Sequence, residues 1–347
     1  MSCNLIEHFE DLPDPRVRGR TDYPLIEIVF LCISAIISGF DGWEAIEDFG
    51  KGKLDWLKKY LPYENGIPRH DTIARVISCL SPKALQSSFV NWVQSIAKIT
   101  EGEIIAIDGK QARRSYNKKD RKAAIHMVSA WACQNGVVLG QQKNDSKSNE
   151  ITAIPQLLEC GADYVLALKG NQSELQEMVD DFFSTAIEKK FVAIEHSKIE
   201  DNDYGHGRIE SRTCYSVALP AYLRDFQDNW VDLKSLACVV SSREINNVIT
   251  HEKRYYVSSL EPSAEKISHA IRCHWHVENS LHWVVDVTFK EDDSRIRRGV
   301  AAENMSVMRH LALNLIKTES QEAKFSVPRK RRKAGLYDEY REKVLGI

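Results

Sequence analysis

Two acidic side chains stand where carboxylate chemistry could be done. Asp108 closes the apolar run Ile104-Ile105-Ala106-Ile107, and Glu278 lies in the middle of the segment from Ile271 to Trp283. A short continuous apolar run reads as a strand covered on both faces, and open α/β sheets place their ligand sites at strand ends. Asp108-Gly109 also fits a tight hairpin turn, but the next strand pattern begins near Ile125, beyond a long basic segment. Around Glu278, the residues Ile271, His274, Glu278, His282 and Val285 recur at steps of three and four. That spacing predicts a helix with Glu278 on or beside its apolar face. A carboxylate placed there needs a partner, either an ion pair with His274 or His282 or a divalent cation. Zinc held by His274, Glu278 and His282 is a further reading, although the HExxH order of helical zinc proteases is absent.

Positive charge is concentrated in two places. Lys110, Arg113, Arg114, Lys118, Lys119, Arg121 and Lys122 are opposed only by Asp120, and Arg329-Lys330-Arg331-Arg332-Lys333 follows Pro328. The chain as a whole is balanced, with 47 Lys and Arg against 49 Asp and Glu and a net charge of -2. Phosphate contact needs local positive charge, so nucleic-acid binding rests on these clusters; a solvated loop would look the same. Eight cysteines are scattered without a CxxC pair, which suits a reducing cytosol. The longest apolar stretch, Leu25 to Phe40, is interrupted by Glu27 and reads as a buried helix, not a membrane span. The N-terminus lacks the basic-then-apolar order of a signal peptide.

These side chains need a frame in 347 residues, which is enough for about two domains. Residues 1–98 read as several short helices, with Asp41, Asp71 and Ser81-Pro82 as start signals and an extended arm from Leu12 to Arg20. A helix-turn-helix is one reading of that region and a plain bundle another. From Glu103 the pattern turns to strands. His126 to Cys133 and Val137 to Gln142 flank Asn135-Gly136, which marks a hairpin. A helix from Asn149 to about Glu159, a buried strand from Asp163 to Leu168 and a helix from Gln172 to about Ile187 follow. Shorter polar strands, Thr213 to Val217, Leu236 to Ser241 and Tyr255 to Val257, read as a β-rich insertion. Helices return near Ala264 and from Ala302 to Lys317.

The segments IIAIDGKQ, SNEITAIPQLL, GADYVLALKGNQ, GHGRIESR, HWHVENSLHW, DVTFKEDDSRIRRG and AAENMSVMRHLALNLIK, in that order, resemble bacterial insertion-sequence transposases of the H-repeat-associated type. PRVRGRTDYPLIEIVFLCISAIISG and PRHDTIARVIS resemble the helical region that accompanies their catalytic domain. The resemblance implies a DDE enzyme, an α/β protein with a ribonuclease-H-like mixed sheet and flanking helices. Its parts would be an N-terminal helical region at 1–98, a catalytic domain from 99–178 and 263–320, a β-rich insertion at 179–262 and a basic tail at 321–347. Three carboxylates of that family hold two Mg²⁺ or Mn²⁺ ions, which suits hard oxygen ligands. By motif match Asp108 is the first carboxylate and Glu278 the last, so their oxygens should approach within roughly 4–6 Å. The family's Arg and Lys positions around that Glu fall on His274 and Val285. DNA contact is expected from Lys110, Arg113, Arg114, Lys169, Asn171 and Arg272.

The chain departs from the pattern between SNEITAIPQLL and GADYVLALKGNQ, where the resemblance implies a strand ending in the second Asp, then a helix. Leu157-Leu158-Glu159-Cys160 runs straight into Gly161-Ala162-Asp163, so that unit is missing near residues 159–161. A Tyr164–Leu168 strand in the vacated place would present Lys169, which repels a metal; Asp145 and Asp163 are the nearest substitutes. The expected function is transposition, meaning cleavage at element ends and strand transfer, impaired by this loss. A non-catalytic DNA-binding relic or regulator and a structure-specific nuclease are the rival readings. Double-stranded DNA is the expected partner, no membrane is, and a homodimer is left open. The bacterial cytoplasm, at the nucleoid, is the expected location.

Overall fold

Apolar residues on every face mark two helices as central. In α2 (Leu25–Ile37) twelve of the thirteen residues are buried, and the helix Ala301–Thr318 is buried along nearly its whole length. A helix apolar all round belongs inside a larger core. The computed structural model describes residues 5–17, 19, 21–97, 103–111, 115, 126–144, 163–205, 208–230, 232–245 and 248–347. They form two units, 1–150 with 274–347, and 151–273.

In the first unit, α1 (Leu5–Glu10), α3 (Trp43–Gly52), the single turn α4 (Leu54–Leu57), α5 (His70–Ile77) and α6 (Pro82–Ile96) share one apolar core with α2. The helical reading of the N-terminal region therefore holds, with one expected cap in place. The Ser81 side chain accepts from Ala84 N ahead of α6, whereas α3 and α5 begin after Gly42 and Arg69 without a side-chain cap. Glu27, buried on α2, accepts from Tyr63 N at 2.7 Å, and burial raises its pKa. β1 (Ile105–Gln111), β2 (His126–Ala132) and β3 (Val137–Asn144) form an antiparallel sheet in that order, and Gly136 takes the positive φ its hairpin requires. The outer edge of β3 is met by Asn314, which accepts from Val138 N and donates to Val138 O, both at 2.8 Å.

In the second unit β4 (Val165–Ala167), β5 (His196–Gly205), β6 (Arg208–Ala218), β7 (Ser235–Ile245) and β8 (Val248–Ser258) make an antiparallel sheet in the order β4-β8-β7-β6-β5. The helix α7 (Ser173–Glu188) shares an apolar core with that sheet. The second unit spans 151–273, wider than the β-rich insertion expected at 179–262, and within it β4 pairs with β8. The expected helix at 149–159 lies outside the described residues. The mixed α/β class is as expected. Among the described residues no helix is long and apolar enough to cross a membrane.

The expected basic tail is folded. After α8 (Ala264–Val277) and α9 (Ala301–Thr318), residues 327–345 form α10 (Val327–Leu336) and α11 (Asp338–Leu345). Arg331 is buried and donates to Ile36 O from Nε at 3.1 Å and Nη2 at 2.6 Å, to Thr288 O, and to Asp41 at 2.5 Å. Lys330 donates to Ile316 O at 3.1 Å and Glu319 O at 2.6 Å. Ile36 and Ile316 lie in the last turns of α2 and α9, whose carbonyls have no partner within the helix, so cations are drawn to them. Gly335 permits the close approach, since a Cβ there would stand 2.8 Å from Ser38 O.

It follows that Arg331→Met, which leaves Asp41 and two carbonyls without their cation, should cost about 3–5 kcal/mol in urea denaturation. Arg332→Ala, on the exposed face one residue on, should stay within about 0.5 kcal/mol.

Candidate active site

Side chains alternate along a strand, so Asp108 and Lys110 project from one face of β1. The partner segment follows α8 in the chain. After Val277 the helix widens, with Trp283 N donating to Glu278 O and Phe289 N to Val284 O, the i to i+5 pattern of a π-helix. Four residues overshoot an α turn and undershoot a π turn, so a segment mixing the two keeps residues four apart in line. Glu278, His282 and Asp286 are spaced in this way.

The two carboxylates selected by sequence do converge. One ligand atom from each of Asp108, Glu278 and His282 lies within 4.8 Å of the others. His282 Nδ1 stands 3.3 Å from Glu278 Oε2 and 3.5 Å from Asp108 Oδ2. The histidine side chain is 7% exposed, Asp108 26% and Glu278 67%, so the cluster has a fixed floor and an open mouth. Glu278 is thus not the buried carboxylate that its apolar neighbours predicted: the buried face runs through Val277, Leu281 and Val285, one position away. Two carboxylates and an imidazole around one point are a donor set that fits a divalent cation. His274 is exposed and stands outside this cluster, which takes Asp108 instead, so the HHE zinc set is not the one assembled.

Behind the cluster lies a buried polar layer. Lys110 Nζ donates to Asp286 and, at 2.9 Å, to Glu291 Oε2. Arg309 Nη1 is 3.5 Å from the other oxygen of Glu291, and His310 Nδ1 donates to Gln141 Oε1. Burial alone would raise the Glu291 carboxyl, but the charges of Lys110 and Arg309 outweigh it and hold the group at about 2. Burial pushes His310 down to about 4, which keeps it neutral near pH 7. For Lys110, burial works to lower the pKa, and Glu291 and Asp286 reverse it to a net rise.

The expected DNA contacts fare differently. Lys110 turns inward to two carboxylates with 14% of its side chain exposed. Arg113 and Arg114 lie outside the described residues. In the second unit Lys169 is exposed, Asn171 sits in the short turn Gly170–Gln172, and Arg272 is paired with Asp201. Sequence reasoning passed over Asp286 and Glu291 as partners of Lys110. The signal that could have found Asp286 is the four-residue spacing from Glu278. It also passed over Trp275 and Trp283, both more than half exposed, and the exposed Arg295 and Arg298.

Residues 6–93 match the family model described as DDE_Tnp_1-associated, and residues 98–315 match the model described as Transposase DDE domain. "Putative transposase YncI" of Escherichia coli O157:H7 is 42% identical over 371 aligned positions, covering 99% of this chain and 94% of its own. "H repeat-associated putative transposase YhhI" of Escherichia coli K12 is 42% identical over 374, covering 98% and 97%. "Inactive transposase YbfQ" of the same strain is 54% identical over 74 residues, 21% of this chain and 88% of its own. The first two alignments are longer than the 347 residues of the chain, so at least 24 and 27 of their positions lie opposite gaps in it.

A depressed carboxyl stabilises the fold above its unfolded pKa and loses that contribution as protons are added. The Glu291 contribution should therefore be complete above about 4.5 and fade as the pH falls toward about 2. Denaturation midpoints followed across that window should fall less steeply for Glu291→Gln than for the parent chain, the remaining slope coming from other depressed carboxyls such as Glu47.

Proposed function

The chain belongs to the DDE transposase family, and from that premise we propose that it recognises insertion-sequence DNA while its own cleavage and strand-transfer activity is weak or lost. The observation that carries the reading is the composition of the cluster, Asp108 and Glu278 with His282, where the family resemblance implies three carboxylates. Asp286 and Glu291 are close by in sequence, but both are engaged by Lys110. Of the substitutes named from sequence, Asp163 accepts from Ser259 Oγ at 2.8 Å within the second unit, and Asp145 lies outside the described residues. Loss of a strand-helix unit near residues 159–161 agrees with alignments that outrun the chain. Among the described residues β1 pairs with β2 alone, so its other edge is one at which a further strand could add.

Divalent ions in such a site activate the attacking water or 3′-hydroxyl and stabilise the departing 3′-oxygen. In the intact family pattern two Mg²⁺ or Mn²⁺ ions do this; here Asp108 and Glu278 are the residues that would hold an ion. Asp108 is oriented by its own strand, with Oδ1 accepting from Gly109 N at 2.8 Å and Oδ2 turned to His282. Lys110 keeps β1 against the segment that carries Glu278. DNA is the family's substrate, and on this chain the exposed Arg295 and Arg298 are the proposed phosphate contacts. Trp275 and Trp283 offer faces on which unpaired bases could stack.

The experiment is strand transfer from the element's own ends with Mg²⁺ or Mn²⁺, beside a version carrying the family's missing strand-helix unit. Binding without strand transfer by this chain, and gain of activity in the restored version, are expected. Neutralising Arg295 or Arg298 should lower the salt slope of log K by about 0.9 for each phosphate that is no longer neutralised. Equal, robust transfer by the unmodified chain would overturn the proposal, and metal-dependent cleavage without joining would favour the nuclease reading.

A further inference from the structure

We infer that His282 fills the ligand position left open by the missing Asp, so that Asp108 Oδ2, Glu278 Oε2 and His282 Nδ1 form a site for one divalent transition-metal ion in preference to Mg²⁺. The inference rests on the reading of Asp108 and Glu278 as metal-binding carboxylates.

The spacing of the donor atoms is that of ligands on one ion. Atoms about 2.1 Å from a shared cation stand about 3 Å apart at right angles and about 3.4 Å at the tetrahedral angle. The observed separations from His282 Nδ1 are 3.3 and 3.5 Å, before any ion draws the groups in. The imidazole is 7% exposed and cannot swing into solvent. Its Nε2 is buried without a hydrogen-bond partner, so Nδ1 is the nitrogen presented to the carboxylates. Asp108 offers Oδ2 because Oδ1 takes the Gly109 N–H.

Ion number and ion type follow from the same groups. Asp108 and Glu278 together balance the charge of one dication. Mg²⁺ demands oxygen ligands in near-ideal octahedral geometry, whereas an imidazole nitrogen favours first-row transition ions. Mn²⁺ is the weakest binder of that series, which makes it the strictest probe.

The test uses the full chain titrated with Mn²⁺ and followed by electron paramagnetic resonance. One bound ion is expected, with spin-echo modulation from an imidazole nitrogen and displacement only by a large excess of Mg²⁺. Asp108→Asn should abolish this binding. His282→Gln, shown folded by circular dichroism, should remove the nitrogen modulation. It should weaken Mn²⁺ binding at least by the roughly 10–100-fold that loss of even an outer-shell partner costs a metal site. Absence of nitrogen modulation in the parent chain, binding that survives Asp108→Asn, or equal affinity for Mg²⁺ would each overturn the inference. Gel-shift binding of element-end DNA without metal, measured on the same samples, reports separately on the transposase reading, so failure of one is not mistaken for failure of the other.

Discussion

A single ammonium group holds the candidate site together. Lys110 leaves β1 on the same face as Asp108 and ends between Asp286 and Glu291, on the chain segment that also carries Glu278 and His282. Both members of the Lys110–Glu291 pair are largely removed from water, so neither can lose the other without a heavy desolvation penalty. Because β1 fixes the two-residue step from Lys110 to Asp108, anchoring the lysine also sets where the first carboxylate arrives. The mixed α and π segment does the equivalent on the other side, carrying the step of four from Asp286 through His282 to Glu278.

The same use of buried cations recurs away from the site. Lys330 and Arg331 satisfy carbonyls at the ends of α9 and α2, and Arg341, fully buried on α11, donates to Ala334 O and Asp338. Among the described residues of the two basic clusters, Lys110, Lys330 and Arg331 are turned inward, while Arg329 and Arg332 are exposed. Exposed near the carboxylate cluster in sequence are Lys290, Arg295 and Arg298, with Trp275 on α8 and Trp283 on the widened segment. A chain of net charge -2 could meet DNA only through such local features.

Sequence carried the start of the strand that bears Asp108, though that strand runs on to Gln111 instead of ending there, and it carried the β2–β3 hairpin at Asn135-Gly136, the capped start of α6 and the convergence of Asp108 with Glu278. Each of those rests on a local signal or on a motif match. It did not carry the fate of Arg331, because its partners Ile36 O and Asp41 lie some 290 positions earlier. Nor could it say that β4 pairs with β8, since an apolar strand of three residues fits either sheet equally well. The widening after Val277 is hidden for a related reason: steps of three and four suit an α turn, whereas the buried row is Val277, Leu281, Val285 and Phe289 at uniform steps of four. His282 was weighed with the wrong third partner, His274, because Asp108 is remote in sequence.

The central claim is that Lys110 and Glu291 lock β1 to the segment bearing Glu278. A double-mutant cycle with Lys110→Met, Glu291→Gln and the double variant, read by urea denaturation, tests it most directly. The account predicts that each single variant loses several kcal/mol and that the double variant loses less than their sum by more than about 1 kcal/mol. Losses that simply add would contradict it.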